Sequence, residues 1–317
     1  MIQKKNILGL ALSFSLVCSA SLIGTANAAD EIYIPLISKG FQHQFWQSVK
    51  KGADQAAKDL NVKITFEGPE SESMIDKQMD MLAAAIARKP SAIGFASLDT
   101  KAPIPLLKKA HAANIPIISF DAGVESDIPL TMASTNNVAA AALAADKMAE
   151  LIGKSGEVAL VVHDQTNSTG IDRRDGFLNR MKSTYPNIKI VSVQYGGGDH
   201  LKSTEVTKAI LQSNPNLKGI FGSNEGSAIG VLNGVKEMKR KVVIIGYDAG
   251  KQQKAAVADG SMAGAITQDP IGMGYKTVEA AVRALKGEKL PKVIDTGFYF
   301  YDKNNMNDPK IAAVLYD

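Results

Sequence analysis

From Glu31 onward, short apolar runs alternate with longer segments in which apolar residues recur at helical spacing. Ile32 to Ile37 precedes a helical pattern over about Gln44 to Leu60, and Val62 to Phe66 precedes one over about Ser73 to Arg88. Ile93 to Ala96 leads into a pattern from about Ile104 to Ala113, and Pro116 to Phe120 closes the set. Each short run is rich in β-formers and bounded by Gly, Pro or polar residues, so strands and helices alternate. That order predicts an α/β fold with a parallel sheet.

The order then returns. Glu31 is echoed by Glu157, and Val62-Lys63-Ile64 by Ile188-Lys189-Ile190, each 126 positions on. Ser97 follows Ile93-Gly94-Phe95 as Ser223 follows Gly219-Ile220-Phe221-Gly222. Phe120-Asp121-Ala122-Gly123 is matched by Tyr247-Asp248-Ala249-Gly250. Four strands in register predict two Rossmann-like lobes of similar βαβ topology, and the period is far too long for a solenoid. In open parallel sheets a ligand lies beyond the carboxyl ends of the strands. Two such lobes facing each other form a cleft lined by both sets of strand-end loops. Those loops carry Lys39, His43, Phe45, Trp46 and Asp121 from the first half, and Arg173, Asn224, Asp248 and Gln268 from the second.

The first 28 residues stand outside this pattern. Lys4 and Lys5 are followed by an apolar, small-residue stretch over Ile7 to Ile23 and by Ala26-Asn27-Ala28, which reads as a secretory signal peptide cleaved after Ala28. The stretch holds Ser13, Ser15, Ser19 and Ser21 and falls short of the ~20 apolar residues of a membrane span. Removing it changes the composition. The 317 residues carry a net charge of +4 and one cysteine, Cys18. The exported chain would keep 317 − 28 = 289 residues, a charge of 4 − 2 = +2 and no cysteine. A disulfide scaffold and a cysteine-based zinc site are excluded. With 36 Lys and Arg against 32 Asp and Glu, and no long basic block, nucleic acid is excluded as a partner.

The cleft residues combine carboxylates, amides, a guanidinium and two aromatics, which suits a neutral polyhydroxylated ligand. Hydroxyls both donate and accept, so Asp, Asn, Gln and Arg can each fix them, while C–H faces lie against rings. Each residue also has a plainer reading. Phe45 shares a helical face with Val49, Ala56 and Leu60, as a core residue would, whereas Trp46 points off that stripe. Asp121 and Asp248 suit turns, Asn224 suits a helix N-cap, and His43 suits a helix start. Of Arg173 and Arg174, one at most reaches the cleft.

The chain resembles the sugar-binding proteins of the periplasmic binding protein type 1 family, nearest the ribose-binding group of ABC transporters. The resemblance covers essentially all of the exported chain. It rests on Ser38 to Trp46, Ala113-Asn114-Ile115-Pro116-Ile117-Ile118 leading to Asp121, and Arg173-Arg174-Asp175-Gly176-Phe177. It continues through Asn224-Glu225, Ile245-Gly246-Tyr247-Asp248, Ile266-Thr267-Gln268 and Gly287-Glu288-Lys289. It implies that Phe45 and Trp46 sandwich a sugar ring, and that Asp121, Arg173, Asn224, Asp248 and Gln268 bind its hydroxyls, with His43 beside them. It implies three hinge crossings near Ser134, Gln268 and Gly297. The lobes are then 29–134 plus 269–296 and 135–268 plus 297–317. It also implies a periplasmic monomer that hands a monosaccharide to a membrane permease, with no cofactor. The family's pattern is broken where His43-Gln44 precedes the aromatic pair, where Ala122 and Ile171 replace arginines, and where Gly198 replaces an aromatic. Ribose itself is therefore not the expected sugar. Lys39 either compensates for Ala122 or faces solvent.

Other classes fit less well. Asp121 and Asp248 as a glycosidase pair would make an exported enzyme, but no G-x-S-x-G, Walker loop or H-E-x-x-H accompanies them. A repressor of the same family would need a helix-turn-helix where the signal segment stands. A sensor presenting sugar to a membrane receptor is the alternative to transport. Asp302, Asn304 and Asp308 have a calcium-like spacing without the central Gly or final Glu, and read as a polar turn rather than a metal site.

Overall fold

Twelve strands and ten helices follow one another among the described residues of the computed structural model, 1–2 and 31–316. The signal-peptide reading of residues 1–28 lies outside them, apart from the first two. In chain order the first half runs β1 (Tyr33–Ile37), α1 (Gln44–Asp59), β2 (Lys63–Glu67), α2 (Ile75–Ala87), β3 (Ile93–Phe95), α3 (Ile104–Ala112), β4 (Ile117–Phe120) and β5 (Thr131–Ser134). The second half runs α4 (Asn137–Leu151), β6 (Gly156–Val162), α5 (Ser168–Thr184), β7 (Ile188–Tyr195), α6 (His200–Ser213), β8 (Leu217–Gly222), α7 (Glu225–Glu237), β9 (Val243–Tyr247), α8 (Lys251–Ala258) and β10 (Gly264–Gln268). The chain ends with α9 (Pro270–Leu285), β11 (Val293–Asp295), β12 (Phe298–Tyr301) and α10 (Pro309–Ala312). The element bounds fall within two residues of those predicted, and the largest shift is at α2, which starts at Ile75 rather than Ser73 after a turn in which Ser73 N–H donates to Ser71 Oγ.

The strands form two six-stranded sheets, ordered β11-β5-β4-β3-β1-β2 and β12-β10-β9-β8-β6-β7. The order is the same in both, so the sequence echo is an echo of topology. Every pairing is parallel except β12 on β10. Parallel strands covered on both faces need continuous apolar runs. Ile34, Leu36, Ile37, Ile93, Phe95, Ile220 and Phe221 accordingly have no exposed surface. In the second lobe Phe177 of α5 stacks on Phe221 at 4.7 Å.

In the first lobe α1 lies against α9 at very short range. A Cβ built on Gly52 would collide with the Ile271 carbonyl, and one on Gly274 with the Val49 carbonyl. The chain passes between the sheets after β5, after β10 and between β11 and β12. The three passages lie side by side. Thr296 N–H donates to Ser134 O at 3.0 Å, and Gln268 pairs with Phe298 across β10 and β12. No described helix is long and apolar enough to cross a membrane. The Asp302 carboxylate accepts the backbone N–H of Asn304 at 2.7 Å, the geometry of a polar turn.

Candidate functional site

The two matched aspartates follow matched strands, β4 and β9, and both adopt left-handed backbone conformations, φ +56° at Asp121 and +81° at Asp248. Asp accepts this region better than most residues do. Each N–H is tied to the adjoining strand, Asp121 to Ala133 O and Asp248 to Ile266 O. The turn thus aims both carboxylates past the sheet ends. Each aspartate is thus a turn residue that also lines the space between the sheet ends.

Between the sheet ends lies a cavity with about 230 Å³ of atom-free space. His43, Phe45, Trp46, Asp121, Arg173, Asn224, Asp248 and Gln268 all line it, so every candidate read from the sequence comes to one place. Lys39 and Glu72 complete the wall. All ten are buried.

Helix α1 presents the aromatic pair. Phe45 and Trp46 meet edge to face at 5.0 Å, and the core stripe of α1 ends in a wall of the cavity. Trp46 Nε1–H donates to Glu72 Oε1 at 2.8 Å, and Lys39 Nζ sits 5.7 Å from the indole centre. Lys39 is 3% exposed, ion-pairs with Asp121 at 3.0 Å and donates to Thr169 Oγ1 of the opposite lobe. It does not face solvent. His43 precedes α1, and its ring stacks on His200 at 5.7 Å.

From the second lobe, Arg173 lies over the Tyr247 ring at 3.7 Å. Its Nε donates to Asn137 Oδ1 at 2.8 Å and its Nη1 to Ser223 O at 2.9 Å. Arg174 turns away, to Asp175 and Tyr195. Asn224 serves both readings. Its Oδ1 accepts Ser227 N–H as the N-cap of α7, which aims Nδ2 at Glu72 Oε2, 3.5 Å away. Gln268 Nε2 donates to Asp248 Oδ1 at 2.7 Å, while Glu225 N–H donates to Asp248 Oδ2 at 2.9 Å. His43 Nδ1 and Gln268 Oε1 are buried without a protein partner.

Three carboxylates and two cations share this space. Burial pushes the Glu72 carboxyl up, but Lys39, His43 and the Trp46 indole more than reverse it, and its pKa lies below the usual value. Burial pushes the Asp248 carboxyl upward, and Arg173, Gln268 and the Glu225 N–H only partly offset this. Burial draws Lys39 down, yet Asp121 and Glu72 leave it net raised. Burial, with Lys39 and Arg173 nearby, drives His163 well below its ordinary value. His163 is thus a neutral bridge between Ser223 Oγ, 2.7 Å away, and Thr169 Oγ1, 3.1 Å away.

Glu72 is the residue that sequence reasoning missed. It comes from the loop after β2, and that loop's position at a strand's carboxyl end was the available signal. Gly198 explains how it fits. With φ +66°, a Cβ there would stand 3.2 Å from both Glu72 Oε2 and Asn224 Nδ2, and 3.7 Å from His43 Nε2. The three polar groups occupy what a larger residue would fill.

The family described as a periplasmic binding protein domain matches residues 34–289. The chain belongs to that family. Among relatives of this periplasmic binding protein is the ribose import binding protein of Bacillus subtilis, 26% identical over 83% of this chain and 85% of that one. Two solved structures align at a TM-score of 0.87 over 90% of this chain and 100% of theirs, both ABC transporter solute-binding proteins from Agrobacterium vitis. One, 31% identical, is bound with α-D-tagatopyranose, and the other, 34% identical, holds D-fucose. All are binding proteins, not enzymes, and the two-lobed fold of this periplasmic binding protein matches theirs.

Proposed function

We propose that the chain is an exported solute-binding protein that captures a monosaccharide between its lobes and delivers it to an ABC transporter permease. The observation that carries the reading is the buried cavity, which gathers two rings and a balanced set of carboxylate, amide and guanidinium groups from both lobes. Such a wall holds a ring by its C–H faces and its hydroxyls by paired polar groups. His43, Phe45, Trp46, Asp121, Arg173, Asn224, Asp248 and Gln268 make the contacts, joined by Lys39 and Glu72. The chain acts as a periplasmic monomer once residues 1–28 are removed. The moving bodies are 29–134 plus 269–296 and 135–268 plus 297–317, hinged where the three passages lie together.

Selection among sugars follows from burial. A hydroxyl of the wrong configuration leaves a buried partner unpaired, at about 1–3 kcal/mol each. A panel of pentoses, hexoses and polyols, followed by Trp46 fluorescence and thermal shift, is expected to give saturable binding for one configuration. It should also give losses of tenfold or more for its epimers. No response from any member would sink the reading. Replacing Glu72 by Gln removes a charged acceptor from Trp46 and the cavity. Calorimetry should then show affinity lower by about tenfold, the scale of a hydrogen bond to a charged group.

A further inference from the structure

Beside the cavity wall, the first turn of α1 is fastened to the opposite lobe by an exchange of helix caps. Glu225, the first residue of α7, accepts Gln44 N–H at Oε1 and Phe45 N–H at Oε2, both at 3.2 Å. Gln44 returns the exchange, its Oε1 accepting Lys251 N–H at the start of α8 at 2.6 Å. The first N–H groups of a helix have no partner within it, and the carboxyl oxygens of another residue can accept them. His43, the N-cap residue of α1, supplies no side-chain cap of its own. Glu225 therefore does for α1 what its own sequence does not.

The same residue is tied to the site. Its N–H holds Asp248 Oδ2, and Asp248 in turn holds Gln268. A ligand engaging Asp248 thus meets a residue whose other end grips the helix carrying Phe45 and Trp46. We propose that Glu225 is a positioning residue, a clasp that couples the ligand cavity to lobe closure and so sets ligand affinity without touching the ligand. The inference rests on the functional reading above for its ligand, though not for its closure.

The clasp is sensitive to pH. Burial, then the neighbouring Asp248, push the Glu225 carboxyl from the ordinary 4.5 up to about 7, against the pull of the Gln44 and Phe45 N–H groups. The other groups facing it are Glu72 from the loop after β2, Tyr301 from β12 and the C-terminal Tyr316. Both tyrosines are held well above their usual value, by burial first and then by Asp248 and Glu225, and stay neutral. Parting the lobes returns Glu225 to water and lowers its value, although Asp248, in the same lobe, stays beside it, so closure takes up a proton. The stabilisation of the closed form is present while the acid is protonated and is lost as pH rises through about 7.

The test compares the full chain with Glu225→Gln, Glu225→Ala and Gln44→Ala, each first shown to melt cooperatively. Affinity for the best-bound member of a panel of D-fucose, D-tagatose, D-arabinose and D-ribose is measured between pH 5.5 and 8.5. Small-angle scattering without sugar reports compactness over the same range. The unaltered chain should lose affinity about tenfold or more across the range and expand as pH rises. Glu225→Gln, which mimics the protonated acid, should stay compact and bind with a flat profile. Glu225→Ala should be flat but weaker throughout, and Gln44→Ala weaker with the slope retained. A Glu225→Gln profile that keeps the original slope would overturn the proposal. So would a Glu225→Ala chain as compact and as tight as the original. If no sugar binds the unaltered chain, the functional reading fails while scattering alone still decides the clasp.

Discussion

Replacing Arg173 by Met is expected to abolish measurable sugar binding and to lower the stability of the fold by about 3–5 kcal/mol, the usual result of removing one partner of a buried charge cluster. The guanidinium is 2% exposed and stacked on Tyr247, and it bridges Asn137 and the Ser223 carbonyl. It also lies in the field of Asp248, Asp121 and Glu72. Without it these carboxylates keep, among the described residues, only Lys39 as a buried cation, and their mutual repulsion would be answered by protonation or by opening of the cleft. Arg173→Lys separates charge from shape. A lysine keeps the charge but cannot lie flat on a ring while forking to two acceptors. Denaturant unfolding should place it between the two, and its sugar affinity should still fall at least tenfold. Binding at unaltered strength in Arg173→Met would show that the arginine is merely structural.

The second large effect is one in which helix propensity gives the wrong sign. Gly274 lies inside α9, where alanine is favoured over glycine by about 1 kcal/mol. Yet a Cβ there would enter the Val49 carbonyl and stand 2.9 Å from Ala53 N, and backbone atoms cannot swing aside as a side-chain end can. Gly274→Ala must therefore push α1 off α9. Overpacking costs about 1–3 kcal/mol, occasionally more, and a clash with backbone stands at the upper end, so the net change is a loss of about 2 kcal/mol and a melting temperature lower by roughly 5 °C. Because α1 also delivers Phe45 and Trp46 to the cavity, sugar affinity should fall with stability. A melting temperature equal to or above that of the parent would refute the close approach of the two helices.

Much of this was legible in the sequence, because it depends on periodic features. Strand runs buried on both faces, helix stripes and a 126-residue echo are repeated signals, and they led to two sheets of the same order and to one edge of each. The eight candidate residues come to one cavity because they flank those strands. What escaped depends on side chains meeting across the lobes. Glu72 stands in a loop of Gly, Pro, Ser and Glu that resembles any surface turn, and only the space beside Gly198 shows why it is buried. Lys39 could not be oriented without Thr169, 130 residues away. Glu225, beside the conspicuous Asn224, reaches Gln44 and Phe45 some 180 positions distant. No local pattern carries such a pairing.

The adjoining passages between the sheets have a mechanical consequence. Thr296 is bonded to Ser134 within the first sheet, and β10 is laddered to β12 at Gln268 within the second, so each passage is anchored by backbone hydrogen bonds on both sides of the crossing. Any rotation of one sheet against the other, as proposed above, would therefore fall on the few residues between those anchors. A few degrees there would be levered into a wide opening at the far lip, so residues at the fulcrum, remote from the cavity, would govern how quickly a ligand is gained and released.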